Sequence, residues 1–181
     1  MVIFRQKQQV LNLAAINITQ LKSDGICGII LDLDNTLISE DDNYISPDGE
    51  EWIKQAESEG IKFFILSNGK RRYRVDYWSS RLGIPAISPA YKPLPFSFRK
   101  AQAAMGLKSK EIVAIGDSFH TDILGSWLVG FSSIQVTSLP HPPRWWERIM
   151  GRWVQIPYLS EEEERLVQFD ISQYQNNAKF I

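Results

Sequence analysis

The sequence predicts a three-layer α/β domain of Rossmann-like type, with a five-stranded parallel sheet between layers of helices. Three observations predict it. Short runs rich in Ile, Leu, Val and Phe recur along the chain with amphipathic segments between them, the alternation that parallel strands joined by helical crossovers produce. The runs are nearly continuous in apolar residues, as strands buried on both faces must be. Glycine stands where successive helical patterns stop, at Gly60, Gly83, Gly106 and Gly130, and a glycine just past the last turn is a common helix end.

The elements follow in order. Residues 26–31 form the first strand, too short for a helix and rich in β-branched side chains; Cys27, inside the run, reads as a small core residue. Ser46 as N-cap and Pro47 at the first helical position open a helix to residue 59, with Trp52, Ile53 and Ala56 inward. The second strand is 61–66. A helix over 71–82 carries Val75, Trp78 and Leu82 at helical spacing, and 85–88 is a short third strand. A helix over 95–105, the fourth strand at 112–115, a helix over 121–129 and the fifth strand at 133–136 complete the series. Residues 1–20 read as an N-terminal extension, 21–139 as the core, and 140–181 as a C-terminal segment with a short acidic run at 161–164.

Composition bounds the function. A chain of 181 residues, 44% apolar, with a net charge of −1 describes a globular protein without the basic field that nucleic acid requires. A lone cysteine excludes an intramolecular disulfide and suits a reducing compartment. The N-terminal stretch carries Arg5 and Lys7, but its apolar part is broken by Asn12 and has no cleavage pattern, so no signal peptide is expected. No segment approaches the roughly 18 apolar residues of a membrane span, and a cytoplasmic location is expected.

The chemistry-bearing residues stand at strand ends. Asp32 and Asp34 follow the first strand two positions apart, so they project to one side if the chain stays extended. Asn35 and Thr36 then turn the chain. An isolated Asp-x-Asp is more readily a turn or cap motif. The second strand closes with Ser67-Asn68-Gly69; Lys92 follows the third; Gly116-Asp117 closes the fourth, with Asp122 five residues on. Each has a plain reading alone: Ser67 or Asp122 as a cap, Lys92 as an exposed lysine. Together they fall on one rim of the sheet, where open α/β sheets bind ligands.

In this order the residues resemble the four motifs of haloacid-dehalogenase-like (HAD) phosphatases: Asp32-x-Asp34-x-Thr36, Ser67, Lys92, and Gly116-Asp117 with Asp122. The resemblance covers residues 21–137 and implies the HAD fold. It implies that Asp32 attacks phosphorus to give an aspartyl-phosphate, and that Asp34 serves as general acid and then base. It further implies Mg²⁺ held by Asp32, the Asp34 carbonyl and Asp117, with Ser67 and Lys92 neutralising the phosphoryl group. Thr36, Asn68, Gly69 and Asp122 would support them, Asp122 through either the metal or Lys92. An acid at position 34 argues for phosphatase over dehalogenase. The intervals 38–64 and 69–92 have no room for the cap domain that encloses small substrates in many relatives, so an open site is expected.

After a proline-rich stretch at 140–143 come Arg144, Arg148 and Arg152 at helical spacing, with Trp145, Trp146, Ile149, Met150 and Trp153 beside them. Such a helix suits an anionic membrane surface; docking on its own domain is the other reading. The chain is similar to the phosphatidylglycerophosphate phosphatase branch in residues 18–21, Asp34-Asn35-Thr36-Leu37, Lys92-Pro93, residues 121–125 and the basic-aromatic segment. This implies a phospholipid head-group substrate at a membrane surface and peripheral association. Gly69, where Asn is frequent, and Ser118-Phe119-His120 depart from that pattern. Lys70, Arg71, Arg72 and Arg74 read as a grip on an anionic head group or as a solvated helix start. His120 reads as a surface or supporting residue more readily than a substrate contact. A soluble phosphatase and a non-catalytic binding module are the alternatives; the latter is disfavoured by the presence of both Asp32 and Asp34.

Overall fold

The computed structural model describes residues 7–143, 147–157 and 166–177. In chain order its elements are β1 (Lys7–Val10), α1 (Ile18–Ser23), β2 (Gly28–Leu31), β3 (Tyr44–Ile45), α2 (Gly49–Ser58), β4 (Lys62–Leu66), α3 (Arg72–Leu82) and β5 (Ala86–Ile87). They continue with α4 (Pro95–Met105), β6 (Ile112–Gly116), a π-helical turn (Phe119–Ile123), α5 (Leu124–Leu128), β7 (Ser132–Val136), α6 (Glu147–Val154), β8 (Val167–Gln168) and α7 (Ser172–Asn177). The expected parallel α/β architecture is what forms. The main sheet runs β1-β7-β6-β2-β4-β5, every pair parallel.

Its strand count corrects the expectation of five. β1 pairs with β7 from Lys7↔Ser133 to Val10↔Val136, so residues ahead of the expected core supply a sixth strand. Lys-Gln-Gln-Val lacks an apolar run because an edge strand needs little core contact; Val10 alone packs against the core cluster.

Side-chain alternation divides the core between the two faces of the sheet. Ile29, Leu31, Phe63, Ile65, Val113 and Ile115 meet Trp52, Ile53, Val75 and Trp78 on one face. Ile30, Phe64, Leu66, Ile112 and Ala114 meet Phe98, Ala101, Met105 and Phe131 on the other. α3 and α4 end at Gly83 (φ 70°) and Gly106 (φ 69°), the left-handed conformation that a helix stop requires and glycine supplies.

Three local expectations are corrected. Cys27 is exposed, immediately ahead of the strand that begins at Gly28. Ser46 is not the N-cap of α2: its N–H donates to the Leu37 carbonyl, and the cap is Asp48 in a left-handed conformation (φ 53°). The helix expected over 121–129 is a π turn followed by the short α5, which swings Asp122 inward.

A two-stranded antiparallel sheet, β3 with β8, lies apart from the main one. β2 is the hub. The chain leaves it for β4 and β5 on one side, then returns to β6 and β7 on the other, so the direction of winding reverses between β2 and β6. Asp32 and Asp117 follow those two strands, at the crevice where doubly wound sheets bind ligands.

Candidate active site

Asp32 leaves β2 with its N–H bonded to the Ile115 carbonyl (2.9 Å), so the chain is still extended where the first acid projects. Its Oδ1 accepts from the Leu33 N–H (2.8 Å) and from Lys92 Nζ (2.6 Å). Lys92 Nζ also donates to Asp122 Oδ1 (2.6 Å). Burial pushes the lysine down, but Asp122 and Asp32 outweigh it and its pKa lies above the ordinary value, which keeps it charged. Asn68 fixes the lysine's backbone from both sides: Nδ2 donates to the Lys92 carbonyl (2.9 Å), and Oδ1 accepts the Lys92 N–H (2.8 Å).

Asp34 is held by different groups. Oδ2 accepts from Ser67 Oγ (2.7 Å) and Oδ1 from Arg74 Nη1. The Gly69 N–H donates to Ser67 Oγ (2.9 Å), and a Cβ at position 69 would stand 2.9 Å from Asp34 Oδ2, close enough to displace that carboxylate from its present place. A glycine in place of asparagine here leaves room for the acid.

Asp117 is aligned by four bonds. Its N–H donates to Thr36 Oγ1 (3.0 Å), its carbonyl accepts from Gln135 Nε2 (2.8 Å), and Oδ2 accepts from Ser138 Oγ (2.7 Å) and Gln155 Nε2 (2.8 Å). Burial and Asp122 push its pKa up to about 6 against the Ser138 and Gln155 bonds. Asp122 packs under the backbone of Gly116, where an added Cβ would fall 2.3 Å from Asp122 Cγ. Ser118 Oγ meets His120 Nδ1 at 2.9 Å.

Asp32, Asp117 and Asp122 each bring a carboxylate oxygen within 4.8 Å of the others. Lys92 offsets only part of their charge. Burial, with Asp122 next, drives the Asp32 pKa well above the ordinary carboxylate range. Such an oxygen-only, over-negative cluster fits a hard divalent cation. A cavity of about 520 Å³ is lined by Asp32, Asp34, Lys92 and Asp117, with Asn68, Gly69, Lys70 and Arg71 at its side and His120 and Gln155 also present.

The structure thus brings Asp32, Asp34, Ser67, Lys92, Asp117, Thr36, Asn68, Gly69 and Asp122 together, with Asp122 serving both the lysine and the acidic cluster. The basic run divides. Arg74 is buried, where a solvated helix start or a head-group grip was expected, because it is bonded to Asp34 and Asp42. Arg71 pairs with Asp42 (2.6 Å), while Arg72 reaches only Asp76 (3.7 Å) and stays in solvent. Arg148 is exposed on α6, to which Arg152 also belongs; Arg144 and Trp145 lie outside the described residues. Sequence reasoning missed Ser138, Gln155, Asp42 and Tyr174. No strand-end position marks any of them, and only the proximity of 138 to the end of β7 offered a signal.

The family model described as haloacid dehalogenase-like hydrolase matches residues 29–126. The chain is 40% identical over 133 residues to the probable phosphatase YqeG of Bacillus subtilis, covering 74% of this chain and 77% of that protein. Among solved structures it is similar in fold to a HAD-superfamily hydrolase of Ehrlichia chaffeensis (TM-score 0.53, 18% identity, covering 61% of this chain and 87% of that one). It is also similar to an uncharacterised protein of Listeria monocytogenes serotype 4b (TM-score 0.50, 20% identity, covering 66% and 84%).

Proposed function

The chain belongs to the haloacid dehalogenase-like hydrolases, and on that premise we propose that it is a phosphatase working through an aspartyl-phosphate on Asp32. The observation that carries the reading is the cavity in which a lysine-bonded carboxylate, Asp32, stands beside a second, separately held acid, Asp34. An Asp32 oxygen bonds to phosphorus as the ester P–O bond breaks, and the departing oxygen takes its proton from Asp34. Water then bonds to phosphorus, giving a proton back to Asp34 while the bond between Asp32 and phosphorus breaks. Lys92, the Ser67 hydroxyl and nearby backbone N–H groups stabilise the charge on the phosphoryl group. A divalent cation, proposed as Mg²⁺ and held by Asp32, Asp117 and the Asp34 carbonyl, would supply the remaining charge neutralisation.

The proposed substrate is phosphatidylglycerophosphate, dephosphorylated to phosphatidylglycerol at a membrane surface, with an uncapped site. Between β2 and β4 lie only β3 and α2, and between β4 and β5 only α3, which supports an open entrance. Exposed apolar side chains on segments that carry, follow or touch cavity-lining residues support a lipid surface. Tyr91, Leu94 and Phe96 flank Lys92. Gly125 would bring a Cβ to 3.2 Å from Pro93 Cα, so α5, with exposed Leu128, abuts the same loop. α6 touches the π turn carrying Asp122 and exposes Ile149, Met150 and Trp153.

The test is phosphate release from phosphatidylglycerophosphate in vesicles beside a panel of soluble phosphoesters, with and without Mg²⁺. Wild type is expected to hydrolyse the lipid only with the cation, and Asp32→Asn to be inactive on every ester. Turnover of soluble esters without turnover of the lipid would reject the lipid substrate and leave a soluble phosphatase.

A further inference from the structure

Arg74 is a charged side chain only 2% exposed, in the first turn of α3. A buried guanidinium is tolerated only when its donors are satisfied, and the partners here are specific. Nη1 donates to Asp34 Oδ1, Nε to Asp42 Oδ1, and Nη2 to the carbonyls of Ser39 (2.7 Å) and Ile38 (3.1 Å). Because the guanidinium is a rigid planar fork, fixing it on Asp42 and two backbone carbonyls fixes the direction from which it meets Asp34. Ser67 Oγ holds the other Asp34 oxygen. Both oxygens of the acid are therefore tethered from separate elements, and each still has a lone pair free for the reacting group.

Asp42 is itself buried and is set in place by more than Arg74. Its Oδ2 accepts from Arg71 Nη1 (2.6 Å) and its Oδ1 from the Tyr174 hydroxyl (2.9 Å). The same hydroxyl accepts from Trp78 Nε1 (3.2 Å). A continuous line of bonds runs from the cavity through Arg74 and Asp42 to α7, which is more than a hundred residues from Asp34 in sequence.

We propose that Arg74 is a positioning residue for Asp34, and that Tyr174, through Asp42, holds Arg74 in register. The C-terminal segment is then part of the catalytic scaffold. This rests on the reading of Asp34 as the acid that protonates the leaving oxygen. A carboxyl group must be held to a fraction of an ångström to serve that oxygen, so loss of the tether costs most where a proton is most needed.

The experiment compares kcat/KM, which reports the steps through departure of the leaving group, for two soluble monoesters: p-nitrophenyl phosphate, whose phenolate leaves unaided, and a simple alkyl phosphate, whose alkoxide does not. Asp34→Asn is expected to lower the alkyl ester about 100-fold more than the aryl ester. Arg74→Met is expected to show the same selective loss, about 10-fold to 100-fold, and the double variant to be no worse than Asp34→Asn alone. Tyr174→Phe removes a single hydroxyl, keeps the ring packed, and is expected to give the same selectivity at about 3-fold. Equal losses on both esters in Arg74→Met, or in Tyr174→Phe should Arg74→Met fail to fold, with Asp34→Asn still selective, would overturn the proposal alone. Equal losses in Asp34→Asn would overturn it together with the acid reading.

Discussion

At the residue scale the proposed active site is a problem in charge. Asp32, Asp117 and Asp122 are buried together with one lysine bonded between two of them, and the protein without a cation holds protons on Asp32 and Asp117 more tightly than the unfolded chain does. The pKa of Asp117 rises from 3.8 to about 6, and Asp32 shifts in the same direction. A raised carboxyl pKa means that the folded state binds more protons than the unfolded state between those values, so stability falls as pH climbs through that window. For the cation-free protein we therefore expect Tm to drop between about pH 4 and pH 6 as Asp117 ionises, on the order of 1–3 kcal/mol of stability. Mg²⁺, the proposed cation, should restore it at pH 7, where the carboxylates are ionised and able to hold it. Thermal unfolding across pH, with Mg²⁺ and with EDTA, checks this; a Tm rising through the same window without metal would contradict it. Sequence order made these acids legible because each ends a buried run. Arg74 was legible only as one of four basic residues, since nothing local announces that its partner Asp42 sits in a flap before α2.

Among the elements, the strands and helices with a clear apolar period were readable to within a few residues, and those that draw order from elsewhere were not. β1 is Lys-Gln-Gln-Val, β3 and β8 are two residues each, and α7 is Ser-Gln-Tyr-Gln-Asn-Asn; none carries a period that burial could have written. α6 is the informative intermediate case. Its amphipathic pattern left two readings open, and in the structure Val154 is buried while Ile149 is 70% and Trp153 73% exposed. Gln135 Nε2 bonds the Val154 carbonyl (3.0 Å) and Gln155 reaches Asp117, so the helix is anchored at its C-terminal end with its large apolar side chains outward. Ile149→Ser with Trp153→Ser should leave Tm and soluble-ester hydrolysis unchanged, because neither side chain is in the core. Each transfers about 1.5–3 kcal/mol of apolar surface if it enters lipid, so vesicle affinity should fall by at least about 100-fold. Sedimentation with phosphatidylglycerol vesicles measures it, and unchanged binding would remove α6 from the membrane reading.

On the scale of the whole molecule, the described part of the segment after residue 165 packs across α3. Trp78, fully buried, lies 5.4 Å from the Phe169 ring, and Tyr77 meets Tyr174 edge-on at 4.7 Å. Tyr77 and Arg81 also bond Gln173 Oε1 (3.1 and 2.9 Å). These contacts join positions over ninety residues apart, which is why no local pattern in the tail disclosed them. The described tail residues therefore cover an aromatic face that α3 would otherwise present to water. Deleting residues 166–181 uncovers that face and removes the Phe169 and Tyr174 rings, about 1.5–3 kcal/mol each. For a domain of this size that corresponds to a Tm lower by about 6–20 °C. The deletion also removes the hydroxyl that holds Asp42, so alkyl-ester hydrolysis at a temperature where the shortened protein is still folded should fall more than aryl-ester hydrolysis. A lower Tm with both esters hydrolysed at wild-type rates would make the tail a cover for α3 and nothing more. The combined loss would make it at once a cover and a brace for the acid at Asp34.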